Sequence, residues 1–251
     1  MKYQRDLYIK DYKQLSSTLF MMCLGSEEEL KEIKAGQFVN ILVENVRDRI
    51  CRRPISIHDV DYKQNTITII VQMVGDATKR LSEYKVGERL NVVFPLGNSF
   101  PLVDNALLIG GGVGTAPLYY LAKCYKEIGK RVSVLIGAKT KQQLFLIDKY
   151  REVCDVYIST EDGSIGEKGM VTSNTIINKD FSTFITCGPT PMMKAVSKLA
   201  MERNIDCYVS LENRMACGVG ACLCCVTDTK KEGNVCVCTE GPVFNAKDLN
   251  W

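Results

Sequence analysis

The stretch Cys217–Cys238 reads CGVGACLCCVTDTKKEGNVCVC and contains six of the twelve cysteines in the 251-residue chain. Within it, Cys217, Cys222 and Cys225 follow the spacing C-x4-C-x2-C, which is typical of plant-type two-iron, two-sulfur clusters. Thiolates suit such a centre because they are soft, anionic donors that bind ferric and ferrous iron alike. The two glycines between the first two of these cysteines allow the backbone to wrap closely around a cluster and to aim amides at its sulfurs. The stretch therefore predicts an iron–sulfur centre.

The fourth ligand of this centre is open from spacing alone. Cys236 and Cys238 are both within reach of the first motif, and Cys224 is a spare thiol inside it. A four-thiolate zinc site that combines the C-x2-C pair with the last two cysteines is an alternative. Such a site would leave Cys217 unused, and a glycine-rich C-x4-C loop is unusual for zinc. A disulfide knot is disfavoured because the chain has the features of an intracellular protein.

The composition narrows the class of protein. A hydrophobic content of 46% and a charged content of 24% are ordinary for a globular protein, and the length leaves room for two domains and an appendage. The net charge of +3 is too small to indicate a nucleic acid or a membrane surface as a partner. No apolar run approaches the roughly 18 residues that span a bilayer, and the N-terminus MKYQRDLYIKDYKQ lacks the apolar segment of a secretory signal. Six further cysteines, scattered from Cys23 to Cys207, show no pairing pattern, so we expect a reducing, cytoplasmic environment.

The chain has a single histidine, His58, which we interpret as a structural or surface residue. General acid–base catalysis draws on histidine more than on any other side chain. The composition therefore favours cofactor chemistry over hydrolysis, and we predict no catalytic acid or base in this chain.

Short apolar runs separated by turn residues fill the first hundred positions. Many short strands at intervals of about 8–12 residues predict a small, closed antiparallel β-barrel over residues 1–98, with a helix over about residues 78–84 at one end. The five candidate strands are 16–25 (SSTLFMMCLG), 36–44 (GQFVNILVE), 54–60 (PISIHDV), 65–74 (NTITIIVQMV) and 88–97 (ERLNVVFPLG).

Two motifs in the barrel favour a flavin dinucleotide. The run RRPISI at residues 52–57 supplies an arginine fork for phosphate, a serine hydroxyl, and a proline that stiffens the strand. The run GDATKRLS at residues 75–82 is a glycine turn that leads into a short helix, whose first amides can face an anion. Together the two runs predict a site for the pyrophosphate of FAD.

Strand–helix alternation follows a turn-rich boundary at residues 95–101 (PLGNSFP). This alternation predicts a doubly wound parallel-sheet domain over residues 99–210. Its first strand runs into GGGVGTAP at residues 110–117, a turn that allows a dinucleotide to lie against the backbone near a helix N-terminus. Cys187-Gly188-Pro189 ends the fourth strand, at the edge where such sheets bind ligands. The remaining residues, 211–251, are predicted to form the iron–sulfur subdomain. The candidate strands are 105–109, 131–140, 155–163, 181–187 and 207–212.

These motifs together resemble the ferredoxin–NADP reductase superfamily and, within it, the electron-transfer subunits of class B dihydroorotate dehydrogenases. The resemblance covers nearly the whole chain and rests on RRPISI, GGGVG, the Cys-Gly-Pro loop, MACGVGACLCC and EGPVF. In that family the last cluster cysteine directly precedes the short run ending in Gly-Pro-Val-Phe, which selects Cys238 over Cys236. One departure is Ala77, which stands where the phosphate turn commonly has a second glycine.

The resemblance also implies which residues bind each group. The implied FAD contacts are Arg53, Pro54, Ile55, Ser56, Ile70, Val71, Gln72, Ala77 and Thr78. The implied contacts of the nicotinamide dinucleotide are Gly111, Gly112, Gly114, Thr115, Cys187, Gly188 and Pro189, of which the last three lie by the nicotinamide and flavin rings in this superfamily. The implied cluster ligands are Cys217, Cys222, Cys225 and Cys238.

The implied function is electron transfer. NAD exchanges two electrons as a hydride and an iron–sulfur cluster exchanges one, so FAD, which handles both, must act between them. The resemblance implies a partner: an FMN-containing catalytic subunit that oxidises dihydroorotate to orotate in pyrimidine synthesis, with two copies of each chain. The alternatives are the flavin and iron–sulfur subunit of a sulfide dehydrogenase or of a ferredoxin–NAD(P) oxidoreductase, and a zinc- or redox-dependent regulatory module.

The third strand of the second domain indicates which nicotinamide dinucleotide is used. It ends in Glu161 and Asp162, near the point where this superfamily reads the adenosine ribose. Carboxylates there can accept hydrogen bonds from a 2′-hydroxyl and would repel a 2′-phosphate. Lys139 and Lys141, after the second strand, are weaker evidence in favour of NADP. The sequence therefore predicts NAD rather than NADP.

Overall fold

The computed structural model describes residues 2–46 and 51–251. Its chain divides into two compact units, and the chain returns to the first unit after passing through the second. The first unit comprises Met1–Ser99, Glu212–Thr227 and Asn234–Pro242. The second unit comprises Phe100–Leu211, Asp228–Gly233 and Val243–Trp251. The predicted cluster subdomain, 211–251, is thus shared between the units, and the predicted division into three domains stays a prediction.

The first unit is built on a closed barrel of six antiparallel strands in the order β1-β2-β5-β4-β3-β6. The barrel confirms the predicted fold of this region. Its strands place aliphatic side chains inward, as in β5, where Ile67, Ile69 and Val71 are fully or almost fully buried. The strands are β1 (Tyr3–Ser16), β2 (Leu19–Gly25), β3 (Phe38–Ile41), β4 (Arg53–Asp61), β5 (Thr66–Gln72) and β6 (Arg89–Leu96).

The first strand, β1, closes the barrel by pairing with both β2 and β6. Five strands were predicted, and this sixth strand was missed. Only Leu7 and Ile9 of its fourteen residues are buried, so its sequence lacks the sustained apolar alternation that identifies a strand. The predicted short helix is present as α1 (Asp76–Ser82), two residues earlier than expected.

The second unit contains a seven-stranded sheet in the order β10-β9-β8-β7-β11-β12-β15, parallel except for β15. This order places β7 and β11 side by side where the direction of winding reverses, which is where open α/β sheets bind ligands. The strands of this sheet are β7 (Ala106–Gly111), β8 (Ser133–Ala138), β9 (Asp155–Thr160), β10 (Glu167–Lys168), β11 (Thr183–Cys187), β12 (Asp206–Ser210) and β15 (Val243–Asn245). A separate two-stranded sheet consists of β13 (Val226–Thr229) and β14 (Gly233–Cys236), which each include residues of both units.

Three α-helices accompany the sheet strands: α2 (Ala116–Glu127), α3 (Ile147–Arg151) and α4 (Thr190–Glu202). Helices α2 and α4 each begin with a proline in the first turn, where its missing N–H costs nothing. The predicted parallel sheet is confirmed, whereas β15 was not foreseen. Within residues 2–46 and 51–251, no helix is long and apolar enough to cross a membrane.

Candidate functional site

The cysteine loop of the first unit directs backbone amides at cysteine sulfurs. The N–H groups of Val219 and Cys222 each lie 3.4 Å from Cys217 Sγ. The N–H of Gly220 donates to Cys238 Sγ at 3.2 Å, and the N–H of Cys238 faces a further sulfur, that of Cys225, at 3.4 Å. Four backbone amides of the loop and its neighbourhood thus face cysteine sulfurs, and the expectation that such amides face the sulfurs of a bound cluster stays a prediction. Such hydrogen bonds stabilise the negative charge of thiolate-ligated centres and tune their reduction potentials.

Three residues with positive φ angles bend this loop. Gly218 and Gly220 have φ angles of +73° and +85°, which glycine adopts without strain. Leu223, between the second and third ligand candidates, has a φ angle of +55°, a conformation that is strained for a bulky side chain. Strain of this kind persists where the surrounding structure or a bound group requires it. The sharp curvature fits a chain that wraps around a compact centre.

The thiols of the loop differ in exposure and partners. Cys225 and Cys238 are buried, Cys217 is partly exposed, and Cys222 and the spare Cys224 are exposed. Of the two candidates for the fourth ligand, Cys238 has its sulfur bonded to the loop amide described above. The backbone carbonyl of Cys236 accepts hydrogen bonds from the N–H groups of residues 239 and 240, which form the next turn. This arrangement favours Cys238, and the ligand set stays a prediction.

The surroundings of the loop thiols shift their acidities in opposite directions. Burial opposes ionisation of Cys217, but the amides of Val219 and Cys222 outweigh it and lower the pKa of this thiol to about 6. Burial, together with the neighbouring Cys225, raises the pKa of Cys238 to about 12.

In the described part of the chain, no three His, Cys, Asp or Glu side chains converge closely enough to ligate a single metal ion.

Asn40 of strand β3 connects the barrel with the cysteine loop. Its side-chain Nδ2 donates to the backbone carbonyl of Cys217 at 3.3 Å, and the residue is completely buried. Its Oδ1 has no donor among the described residues. A buried carbonyl oxygen of this kind is able to accept a hydrogen bond from a bound cofactor. No sequence motif had singled out this residue.

The two arginines of the RRPISI strand have different roles. Arg52 donates to Asn91 through Nη1 at 3.0 Å to the backbone carbonyl and through Nη2 at 2.5 Å to Oδ1, which ties the start of β4 to β6. Among the residues that the structure describes, Arg53 bonds only nearby backbone carbonyls, those of Cys51 and Arg52, at 2.5 and 3.4 Å. Its guanidinium can exchange such local bonds for a phosphate, which supports Arg53 as the pyrophosphate contact.

The remaining predicted flavin contacts lie on β4, β5 and α1. Residues 53–56 are half-buried along one barrel strand, whereas on β5 the side chains of Ile70 and Val71 are buried and Gln72 is exposed. The Thr78 hydroxyl accepts from the amides of Val74 and Gly75 at 2.9 and 3.1 Å, so it holds the turn rather than facing solvent. Ala77 is buried, with its methyl group in the core. Thr78 therefore shapes the turn, and the helix N-terminal amides remain the groups suited to an anion.

The glycine turn after β7 and the Cys-Gly-Pro loop after β11 lie against each other in the second unit. A Cβ atom on Gly114 would lie 2.4 Å from the Cα atom of Gly188, so only glycine permits this approach. Gly112 has a φ angle of +54° and open space around its Cα atom. Cys187 is fully buried and Thr115 is 1% exposed. The structure thus brings together the residues predicted for the nicotinamide dinucleotide.

A cavity of about 370 Å³ opens beside this turn, within the range of small-molecule sites. Its lining includes Gly112, Lys139, Glu161 and Met192. Glu161, one of the two carboxylates predicted to accept a hydrogen bond from a ribose, therefore lines the cavity, and its contact with the ribose stays a prediction. Asp162 is not part of the lining.

Asp162 stabilises the adjoining turn instead. Its Oδ1 accepts from the Ser164 hydroxyl at 2.6 Å and from the Ser164 N–H at 2.9 Å. These bonds lower the pKa of Asp162. Glu161, rather than Asp162, is thus the carboxylate available to a ribose.

His58 is 1% exposed on β4. Of the two interpretations offered for it, the structural one is confirmed, and the surface one is wrong.

Comparisons with known proteins agree with this geometry. The family profile described as "Iron-sulfur cluster binding domain of dihydroorotate dehydrogenase B" matches residues 212–250, and that described as "Oxidoreductase NAD-binding domain" matches residues 108–198. The chain is 41% identical to the "Dihydroorotate dehydrogenase B (NAD(+)), electron transfer subunit" of Fusobacterium nucleatum, over 97% of each chain. It is 37% identical to the protein of the same name from Bacillus pumilus, over 97% of this chain and 96% of that protein.

Solved structures with the same fold include an NADH-dependent reduced ferredoxin–NADP oxidoreductase, with a TM-score of 0.87, 30% identity and coverage of 98% of this chain and 90% of that chain. The flavohem-like FAD/NAD-binding domain of a Vibrio cholerae nitric oxide dioxygenase, at 16% identity and a TM-score of 0.72 over 82% of this chain and 97% of that chain, shares the fold alone.

These matches bear on the assignments made from the motifs. They confirm an NAD-linked oxidoreductase component of the ferredoxin–NADP reductase type, with the cofactor set of FAD, an iron–sulfur cluster and NAD. The sulfide dehydrogenase, ferredoxin–NAD(P) oxidoreductase and regulatory alternatives are not favoured. The chain belongs to the family of electron transfer subunits of NAD-dependent dihydroorotate dehydrogenase B.

Proposed function

We propose that this chain carries electrons between NAD and an FMN-containing dihydroorotate dehydrogenase subunit, through FAD and a [2Fe–2S] cluster. The ligands of the cluster are Cys217, Cys222, Cys225 and Cys238. The observation that carries the proposal is the cysteine loop, whose backbone amides face the sulfurs of three of these residues. When bound, FAD exchanges a hydride with NAD and single electrons with the cluster.

Individual residues of the chain bind FAD and the nicotinamide dinucleotide. Arg53 neutralises the pyrophosphate of FAD, and Ser56, on the same strand, offers a hydroxyl to the flavin. Gly112 and Gly114 let the nicotinamide dinucleotide approach the backbone, since a side chain at Gly114 would collide with Gly188. Glu161 accepts a hydrogen bond from the adenosine ribose.

The catalytic partner is proposed to be an FMN-containing subunit that binds dihydroorotate, with two copies of each chain in the complex. The names of the relatives support a partner, because each is described as one subunit of a dehydrogenase. All twelve cysteines are free thiols, which fits the reducing environment of the cytoplasm that we propose for the complex.

Replacement of Arg53 by alanine is expected to weaken FAD binding by about one to two decades, because a charge-assisted hydrogen bond contributes roughly 1.5–3 kcal/mol. The measurement is a fluorescence titration of flavin-depleted protein with FAD. Arg52→Ala is the comparison, since Arg52 binds Asn91 and should lower the melting temperature of the flavin-free protein, which Arg53→Ala should not. Equal FAD affinity in Arg53→Ala and wild type, or FMN as the flavin released by heat, would contradict this site.

NADH is expected to reduce the bound flavin and cluster far more efficiently than NADPH. Anaerobic stopped-flow titrations with NADH and with NADPH, followed by visible absorbance, measure the reduction by each dinucleotide. Glu161→Gln removes the charge that repels a 2′-phosphate, so the preference for NADH should fall by about tenfold or more. Asp162→Asn is the matched control and should keep the preference, because Asp162 binds Ser164. Comparable wild-type efficiency with the two dinucleotides would refute the assignment.

A further inference from the structure

Asn40 lies between the strand predicted to bind flavin and the loop predicted to bind the cluster. It is opposite Pro54 in the β3–β4 register, and directly opposite residues of an antiparallel pair share one face with Cβ atoms about 4.5–5.5 Å apart. On that face its Nδ2 donates to the carbonyl of Cys217 at 3.3 Å. One side chain thus spans the gap between the two elements, and all of these residues belong to the first unit.

The loop is shaped to receive this side chain. A Cβ atom on Gly218 would lie 2.5 Å from Asn40 Nδ2 and 3.3 Å from Leu96 Cδ1. Gly218 therefore has two reasons to be glycine, its φ angle of +73° and the close approach of the asparagine amide. The contact is a close fit and not a surface hydrogen bond, because Asn40 has no exposed area.

The backbone of Asn40 is itself held in place. Arg52 donates through Nη1 to the backbone carbonyl of Asn40 at 3.4 Å, and through the same atom to that of Asn91 on β6 at 3.0 Å. The barrel therefore holds the backbone from which the Asn40 side chain reaches the loop. A rigid partner of this type limits the positions that a ligating residue can adopt.

We propose that Asn40 is a positioning residue for the cluster, whose side-chain amide fixes the first turn of the cysteine loop and thereby sets the retention and the reduction potential of the centre on Cys217. This inference rests on the proposed function. The positive end of the amide dipole points toward the loop, and a nearby positive potential favours the reduced, more negative state of a cluster. Hydrogen bonding of the Cys217 carbonyl also polarises the peptide that leads into the sulfur-facing amides.

The test uses the full chain with its cofactors and compares Asn40→Ala and Asn40→Asp with wild type. Iron release to a chelator should be about two- to tenfold faster in both variants, as expected for one lost hydrogen bond. The cluster potential, measured by redox titration with electron paramagnetic resonance, should shift to more negative values, further for Asn40→Asp because it adds negative charge.

The matched control is Asn65→Gly. The Asn65 amide donates to the carbonyls of Ser26 and Glu28, elsewhere in the barrel, and glycine tolerates its φ angle of +55°. This control should keep wild-type iron release and potential. Unchanged potential and iron release in both Asn40 variants would overturn the inference while leaving the proposed function intact, whereas a wild-type protein without any cluster would overturn the function.

A double-variant cycle tests the close fit. Gly218→Ala alone should lose most of its iron, because the added methyl group collides with Asn40 Nδ2. In an Asn40→Ala background, part of that loss should be recovered, since the collision with Asn40 is gone and only the backbone strain at residue 218 and the 3.3 Å approach to Leu96 Cδ1 remain. Equal loss in the two backgrounds would show that Asn40 does not shape this turn.

Discussion

Serine at Cys217, Cys222, Cys225 or Cys238 is expected to remove most of the iron and the electron paramagnetic resonance signal of the reduced protein. A serine hydroxyl is a harder donor than a thiol and stays protonated at neutral pH, so each replacement leaves an iron atom without a suitable anionic ligand. The loss of iron should be nearly complete, because the three remaining cysteines cannot complete the coordination of a two-iron centre.

The spare thiols provide matched controls in the same segment. Cys224 is exposed, and Cys236 is partly exposed. Serine at either position should therefore leave iron content and spectrum near wild type. A Cys236→Ser protein without iron, beside an intact Cys238→Ser protein, would assign the fourth ligand to Cys236. Retention of the cluster in all four ligand variants would remove the basis of the proposed function.

The spacing of turn residues and the pattern of apolar residues predicted most of the fold, because both reflect local structural constraints. The parallel strands are short apolar runs, and the glycine turn after β7 is required by a local collision between Gly114 and Gly188. Strand β1 escaped prediction because its pairing with β2 and β6, rather than burial of its own side chains, makes it a strand. Strand β15 was missed for a similar reason. Val243 and Phe244 were used only as part of a family motif, and they form a strand because they pair with β12, which is a tertiary contact.

The sequence predicted those features of the site that depend on the types of its residues. Cysteine spacing located the loop, and the carboxylates singled out after β9 include Glu161, which lines the cavity. The sequence could not separate Glu161 from Asp162, because the difference lies in the hydrogen bond to the Ser164 hydroxyl. Nor could it indicate Asn40, which is 177 positions from Cys217 along the chain. Contacts of such separation leave no periodic signal.

The chain alone is expected to oxidise NADH with artificial acceptors but to form no orotate from dihydroorotate and NAD. Dihydroorotate oxidation removes a proton as well as a hydride, so it requires a positioned base and a pocket for a carboxylate. The single histidine, His58, is 1% exposed within a barrel strand and cannot reach a substrate. Orotate formation should therefore appear only when an FMN-containing subunit is added, which an absorbance assay for orotate measures directly.

The exposed part of the cysteine loop indicates where that subunit would dock. Val219 and Leu223 are 45% and 64% exposed, next to ligands of the proposed cluster, and one-electron transfer requires the cluster to approach the partner's flavin. Leu223→Asp should keep its iron and its NADH oxidation, because aspartate tolerates the positive φ angle, yet lose orotate formation in the mixed assay. Val86→Asp, at an apolar residue that is 60% exposed between α1 and β6, should retain orotate formation. Orotate production by the pure chain would instead place the dihydroorotate site within this subunit, and the electrons would then have no need of the exposed loop.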